Sequence, residues 1–514
     1  MSQPSRRQTL GMIGALAAAG LLPAGARSGA AATGLQLGPA TPFDANTVAD
    51  LAQSLAASPY APPPAISREW RDLSYDMLRD IWFDSRRALF RETQGAVRAE
   101  FFIAGLFFGH KIRINAVQQG QSQQVGFDLA AFATTDRFPA LRGDGTGFAG
   151  FRLLGELEAR DRFQEYVVFQ GASYFRAIGK DNGYGISARG LALHTAGRTL
   201  EEFPIFREFW IEAAAPDAPT VTVHALLDSP SVAGAYTFEI TKGETTEMTV
   251  AARLFPRVDL TDVGVAPGTS MFLFNGIDRS RFDDFRGRVH DSDGLLMMNG
   301  AGETLWRPLN NPGKVEVSEF VDNGPLGFGL MQRARALGDF NDLQARYDRR
   351  PSLWVEPLGD WGPGTVVLIE IPTEKEVNDN IVTYWKPASP LQAGREHRFD
   401  YRLYWGDKAP AEGAVAPVIA TSAGARVFED GRLFAIDYAP HPALGDDPAR
   451  IEVRVTTSAG RITSPILQRN PGTGGLRLDF TVKGDPRHAE LRAELWRNGR
   501  RAAEVWMNRW VNAS

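Results

Sequence analysis

Short apolar or alternating runs, each closed by glycine, proline or an Asx–glycine pair, recur along most of this chain, and helix-period runs are scarce. With 52 glycines and 32 prolines in 514 residues, interruptions come too often for long helices. Between Phe90 and about Tyr404 the strand-length runs include Phe151-Arg-Leu-Leu-Gly-Glu-Leu157, Tyr166-Val-Val-Phe169, Ser173–Ile178, Thr220–Leu227, Tyr236–Ile240, Thr365–Ile371 and Phe399–Trp405. This pattern predicts an all-β fold, with a large sandwich over roughly 300 residues rather than a parallel sheet wrapped in helices. Two helices are expected before it. Asn46–Ala57 places Val48, Leu51 and Leu55 at spacings of three and four, and Leu73–Phe83 is the second; Pro59–Pro64 is a connector between them.

After Trp405 the composition shifts. Residues 407–421 are rich in Ala, Pro and Gly and read as a linker. Residues 422–514 read as one compact β unit, with strands expected at Arg432–Tyr438, Arg450–Val455 and Leu476–Val482 and turns at Asp430-Gly431 and Asn498-Gly499. Such a count of short strands resembles an immunoglobulin-like sandwich without its disulfide, because the chain has no cysteine. The large β-sandwich is assigned residues 33–406.

The same lack of cysteine removes thiolate metal sites and a cysteine nucleophile. Net charge is −5, and residues 1–32 carry Arg6, Arg7 and Arg27 with no acid, so their removal takes it to −8. With no long basic run, nucleic acid is not an expected partner. Ser5-Arg6-Arg7-Gln8-Thr9-Leu10 is a twin-arginine start, followed by a weakly apolar stretch to Leu22 and small-residue cleavage positions after Ala26 or Ala32. Residues 1–32 are therefore read as an export signal to the periplasm. The stretch is too short and too rich in Gly and Ala to span a bilayer, and no other segment reads as membrane-inserted.

Two clusters carry the chemistry. One is Ile371-Pro-Thr-Glu374-Lys-Glu376-Val-Asn-Asp379-Asn380-Ile-Val-Thr-Tyr384-Trp385; the other is Tyr347-Asp348-Arg349-Arg350-Pro351-Ser-Leu-Trp354-Val-Glu356. Carboxylates beside aromatic rings suit sugars: rings stack on pyranose faces, and acids bind hydroxyls or move protons. Asp379-Asn380 falls between two expected strands, where sites usually lie, although an Asx-turn would use the same residues. His290-Asp291-Ser292-Asp293-Gly294 lacks the later ligands of a calcium loop; it reads either as an Asp-rich turn with Gly294 at positive φ or as a carboxylate held by a rigid turn at a site's edge. No pair of histidines has metal-ligand spacing. Gly145-Thr-Gly147-Phe-Ala-Gly150 matches a dinucleotide fingerprint in letters only, since a strand and not a helix follows. Of Trp306, Trp354, Trp361, Tyr384, Trp385 and Trp405, two or three are expected to line a groove.

Several segments together resemble one family. They are His290–Gly294, Trp306-Arg-Pro-Leu309, Gly327-Phe-Gly-Leu-Met-Gln332-Arg333, Arg350–Pro357, Gly359-Asp-Trp-Gly362, Glu370-Ile-Pro-Thr373, Asp379-Asn-Ile-Val382 and Tyr401–Gly406. They are similar to the periplasmic glucan biosynthesis proteins of the OpgG/OpgD type, from roughly Phe43 to the C-terminus, and the leader points to the OpgD branch. The resemblance implies a galactose-mutarotase-like N-terminal β-sandwich with a groove, a C-terminal immunoglobulin-like domain, a homodimer, no cofactor and no metal. It implies an endo-acting, anomer-inverting enzyme on β-1,2-glucan. Carried onto this chain, the general acid falls on Asp379 and the general base on Asp291, with Tyr347 and Glu376 as relay or support. Substrate contacts are expected from Trp306, Arg307, Arg333, Arg350, Trp354, Glu356 and Trp385.

One departure stands out. Where the family commonly has Gln-Arg-Asp-Arg-Asp-Phe, this chain reads Gln332-Arg333-Ala334-Arg335-Ala-Leu-Gly-Asp339-Phe340. An acid is lost at Ala334 and the loop is longer, so a sugar hydroxyl could replace water as acceptor, giving transglycosylation. The rival readings are a non-catalytic glucan-binding scaffold and a retaining glycosidase with carboxyls about 5–5.5 Å apart.

Overall fold

The computed structural model describes residues 35–511, apart from 93–94, 134–140, 198, 216–217, 411–412 and 485. The expected leader and its cleavage positions lie outside the described residues. Regular structure is overwhelmingly strand, as the turn-punctuated pattern requires. Two compact units account for the described residues: one takes those up to 267 with 357–361 and 384–406, the other 268–356, 362–383 and those from 407 onward.

In the first unit an antiparallel ladder runs through Thr220–Asp228, Val232–Thr241, Thr246–Pro256 and His397–Gly406. Ile205–Glu212 joins its near edge and pairs in parallel with Arg113–Gln118. A second sheet carries Val97–Ile103, Phe148–Glu156, Phe163–Gln170, Tyr174–Ala177 and Ser187–Arg189. Phenylalanines bind the two faces: Phe151 and Phe169 meet Phe209, and Phe169 and Phe175 meet Phe238, with ring centroids 5.0–5.5 Å apart. Gly150 begins no phosphate loop. It sits in a strand, and a Cβ there would collide with the Phe169 carbonyl.

The first expected helix forms at Ala45–Ala56. Asp44 caps it by accepting from the amides of Asn46 and Thr47, and Val48, Ala49 and Ala52 pack on Trp210, Leu226 and Phe255. The second is shorter than expected. Ser74 caps a helix of only Tyr75–Arg79, and Trp82–Phe83 instead forms a strand with Phe132–Ala133. Pairing and burial of these aromatics override the helical spacing of the segment.

In the second unit Gly294–Met298 lies between Thr304–Pro308 and Gly327–Met331, all antiparallel. Thr304–Pro308 continues in parallel register onto Val505–Val511, which pairs with His488–Arg497, itself paired with Glu452–Thr457. Strands from before residue 406 and from after residue 422 thus share one sheet. A four-stranded sheet, Val418–Ala425, Arg432–Tyr438, Leu476–Lys483 and Arg461–Arg469, completes a C-terminal sandwich. Phe434 and Phe480 pack on Trp506 at 5.9 Å, and the Trp506 indole donates to Thr421 Oγ1. Val418–Thr421, inside the expected linker, is already strand. Asn498 and Gly499, where a turn was expected, both take positive φ, 51° and 73°, as a type I′ hairpin turn requires.

Candidate functional site

The site is assembled on one short segment of the second unit, Ser270–Phe272. Successive residues of an extended chain aim their backbone groups to opposite sides. On one side the Met271 carbonyl accepts from the Asp291 amide at 2.8 Å, and Phe272 is the register partner of His290. On the other, the Ser270 carbonyl accepts from the Asn380 amide at 3.0 Å. The Asn380 side chain then acts as a missing strand. Its Oδ1 accepts from the Phe272 amide, and its Nδ2 donates to the carbonyls of Phe272 and Ile371 at 2.8–3.0 Å. This is a bridge across loops and not an Asx-turn. Asp379 and Asp291, far apart in sequence, are thereby held on the two flanks of one segment, and both are buried, at 6% and 7% exposure.

The turn 290–294 is rigid. Asp293 Oδ2 accepts from the amides of Arg333 and Ala334, and its Oδ1 lies 3.2 Å from His290 Nε2. Burial pushes the Asp293 carboxyl up, but His290, Arg288 and those two amides outweigh it and hold it below the carboxylate range. His290 lies fully buried between Phe272 and Phe340, and that burial pulls its imidazole down against the opposing pull of Asp293. Gly294 does not take positive φ, contrary to expectation; glycine is required because a Cβ would enter the Trp306 ring.

Tyr347 joins the site from a 3-10 turn, with its ring in an apolar cluster with Phe340, Val289 and Ala334. Burial first, and then the negative charges of Asp291 and Glu376, push its phenol far above the ordinary tyrosine range. Arg350 brings a cation to the same group: its Nε is 3.3 Å from Asp291 Oδ1, and its guanidinium lies 5.4 Å from the Tyr347 ring centre. Tyr347 thus lies within electrostatic reach of Asp291, Glu376 and Arg350 alike. No carboxylate stands at Ala334, whose methyl is buried in that cluster.

Other expected contacts are corrected. Trp306, Trp354 and Trp385 are 3%, 2% and 0% exposed, so their rings are core and offer no face to a sugar. Two or three of the six aromatics Trp306, Trp354, Trp361, Tyr384, Trp385 and Trp405 were expected to line a groove, and all six are buried. Gly294 packs against Trp306 and Gly327 against Trp354, and Trp385 lies beside Trp361 at 6.4 Å. Arg307 is buried in an ion pair with Glu370 at 3.0 Å, and Glu370 also accepts from the Asn310 amide. Arg333 pairs with Glu504 at 2.6 Å while stacked on Trp306 at 3.7 Å. Glu356, at the end of the strand Ser352–Leu358, is half-buried. An aromatic that sequence reasoning missed is Phe285, 80% exposed. Also missed were Arg286, bonded to Glu376 at 2.7 Å, and Asp342, bonded to Arg286. The dense Arg279–Arg288 run of arginines and aspartates was the available signal.

Residues 43–510 match the model of a family described as periplasmic glucan biosynthesis protein, MdoG. A glucans biosynthesis protein G of Vibrio cholerae serotype O1 is 48% identical over 476 residues, covering 91% of this chain and 87% of that protein. Proteins of the same description from Shewanella sp. strain MR-4 and Shewanella baltica are 46% identical over 478 residues, with the same coverage.

Proposed function

Since the chain belongs to this periplasmic glucan biosynthesis family, we propose that it is an endo-acting, anomer-inverting enzyme on β-1,2-glucan, with Asp379 as general acid and Asp291 as general base. The observation that carries this reading is the pair of buried carboxyls held on opposite flanks of Ser270–Phe272.

Asp379 protonates the departing glycosidic oxygen. Asp291 takes the proton of the acceptor on the opposite face of the ring. Tyr347, kept protonated by its burial, is a hydroxyl through which that proton can pass. Glu376 supports the acid side. Phe285 is the exposed ring we assign to stacking on the sugar chain, in place of the buried tryptophans. The methyl of Ala334 supports the transglycosylase form of the reaction, in which a sugar hydroxyl is the acceptor.

Incubating the protein with linear β-1,2-glucan, beside Asp379→Asn, tests the proposal. Shorter glucans with α-anomeric reducing ends establish inverting hydrolysis. Products that have gained no water and carry a new α-linkage establish transglycosylation. An unchanged glucan leaves a glucan-binding protein and overturns the enzyme.

A further inference from the structure

Arg286 gathers three carboxylates from three loops. Its guanidinium donates to Asp284 at 2.7–3.2 Å, to Asp342 at 2.7 Å and to Glu376 at 2.7 Å. It is 13% exposed, and Glu376 is 35% exposed, so the pair lies beside solvent with the cation on its inner side. The contacts continue past Arg286. The other oxygen of Asp342 accepts from the amides of Gln344 and Ala345 at 2.9 and 2.8 Å. The Ala345 carbonyl accepts from Arg350 at 2.9 Å, and Arg350 pairs with Asp291. The loop so held is bounded by Asn341 and Arg346, both at positive φ, 56° and 47°. For an arginine that conformation is costly and persists only where its surroundings impose it.

We propose that Arg286 is a positioning residue, a latch that orients Glu376 directly and Asp291 through Asp342, Ala345 and Arg350. One unbroken set of contacts then links the acid-side loop, Pro372–Asp379, to the base. This role rests on the reading that Asp379 and Asp291 carry turnover. A guanidinium suits this place because its planar fork grips Asp284 through Nε and Nη2 while Nη1 and Nη2 reach Asp342 and Glu376; an ammonium has the charge and three donors but not that fork.

The experiment measures kcat and KM on linear β-1,2-glucan for Arg286→Gln and Arg286→Lys. Both should lose about 10- to 100-fold in kcat with KM within about threefold, as expected for lost orientation rather than lost binding. Millimolar guanidinium should restore part of the Arg286→Gln rate, which a merely structural loss would not allow. Folded variants with kcat within about twofold of wild type overturn the latch. Should Arg286→Gln fail to fold, Asp342→Asn decides, because its remaining oxygen still serves the two amides while the charge facing Arg286 is gone. It should lose about 3- to 10-fold in kcat, and an unchanged kcat overturns the proposal. A wild type silent on glucan sinks the enzyme reading alone. Hydrogen exchange at the Gln344 and Ala345 amides then tests the latch: about tenfold faster exchange in whichever of Arg286→Gln and Asp342→Asn is folded supports it, and unchanged exchange overturns it.

Discussion

The side chain of Asn380 anchors the loop that carries Asp379, and Asp291 is anchored by its own amide, which donates to the Met271 carbonyl. Because an asparagine at either position keeps these backbone bonds, Asp379→Asn and Asp291→Asn should each cut kcat by about 100- to 10,000-fold while thermal unfolding stays near wild type. A variant with more than about a tenth of wild-type turnover would remove that aspartate from the mechanism. Substituting Phe285, whose ring is exposed, should act on binding: Phe285→Ala should raise KM by about 5- to 50-fold, on the scale of one lost stacking contact, with kcat little changed. His290 makes the fold pH-sensitive. Burial lowers its folded-state pKa below the ordinary 6.5, so the unfolded chain takes the proton first. Stability from this residue is whole above 6.5 and is lost as pH falls through 6.5 toward the lower native value. The unfolding temperature should drop between about pH 7 and pH 5, and His290→Asn should flatten that slope; an equal slope in the variant would assign the effect elsewhere.

At the scale of elements, loops do the placing and strands hold them. Asn380→Ala would strip the Phe272 amide and two carbonyls of their buried partners. We expect a loss of about 2–5 kcal/mol and a fall in activity greater than stability alone explains, read by denaturant unfolding beside kcat. Gly294→Ala should cost about 1–3 kcal/mol by driving a methyl into Trp306. The strands were legible because alternation and turn residues are local: Arg432–Tyr438 was placed to the residue. The helix at Leu73–Phe83 was not, because its last residues are claimed by Phe132–Ala133, some fifty positions away. Likewise, a glycine at 294 reads as a turn until the ring beside it is known.

For the molecule as a whole, we propose that residues 1–32 are a twin-arginine leader, which would allow folding before export. Lysines at both Arg6 and Arg7 should keep the protein in the cytoplasm, seen by fractionation; normal export of that variant would assign the leader to another route. No helix among the described residues is long and apolar enough to cross a membrane.

The amino-acid order, unaided, determined the β class, the punctuation of the strands and the Asp-bearing loops, since each depends on residues within a few positions of one another. It also carried the resemblance from which Asp379, Asp291, Tyr347 and Glu376 were chosen. Tertiary structure decided which rings and cations are free to act. Trp306, Trp354 and Trp385 look like sugar platforms in the sequence and are core; Arg307 and Arg333 look like substrate clamps and are neutralised by Glu370 and Glu504. Burial and charge pairing depend on partners dozens to hundreds of residues away. The same distance hid Arg286, whose role exists only once Asp342 and Glu376 have been folded against it.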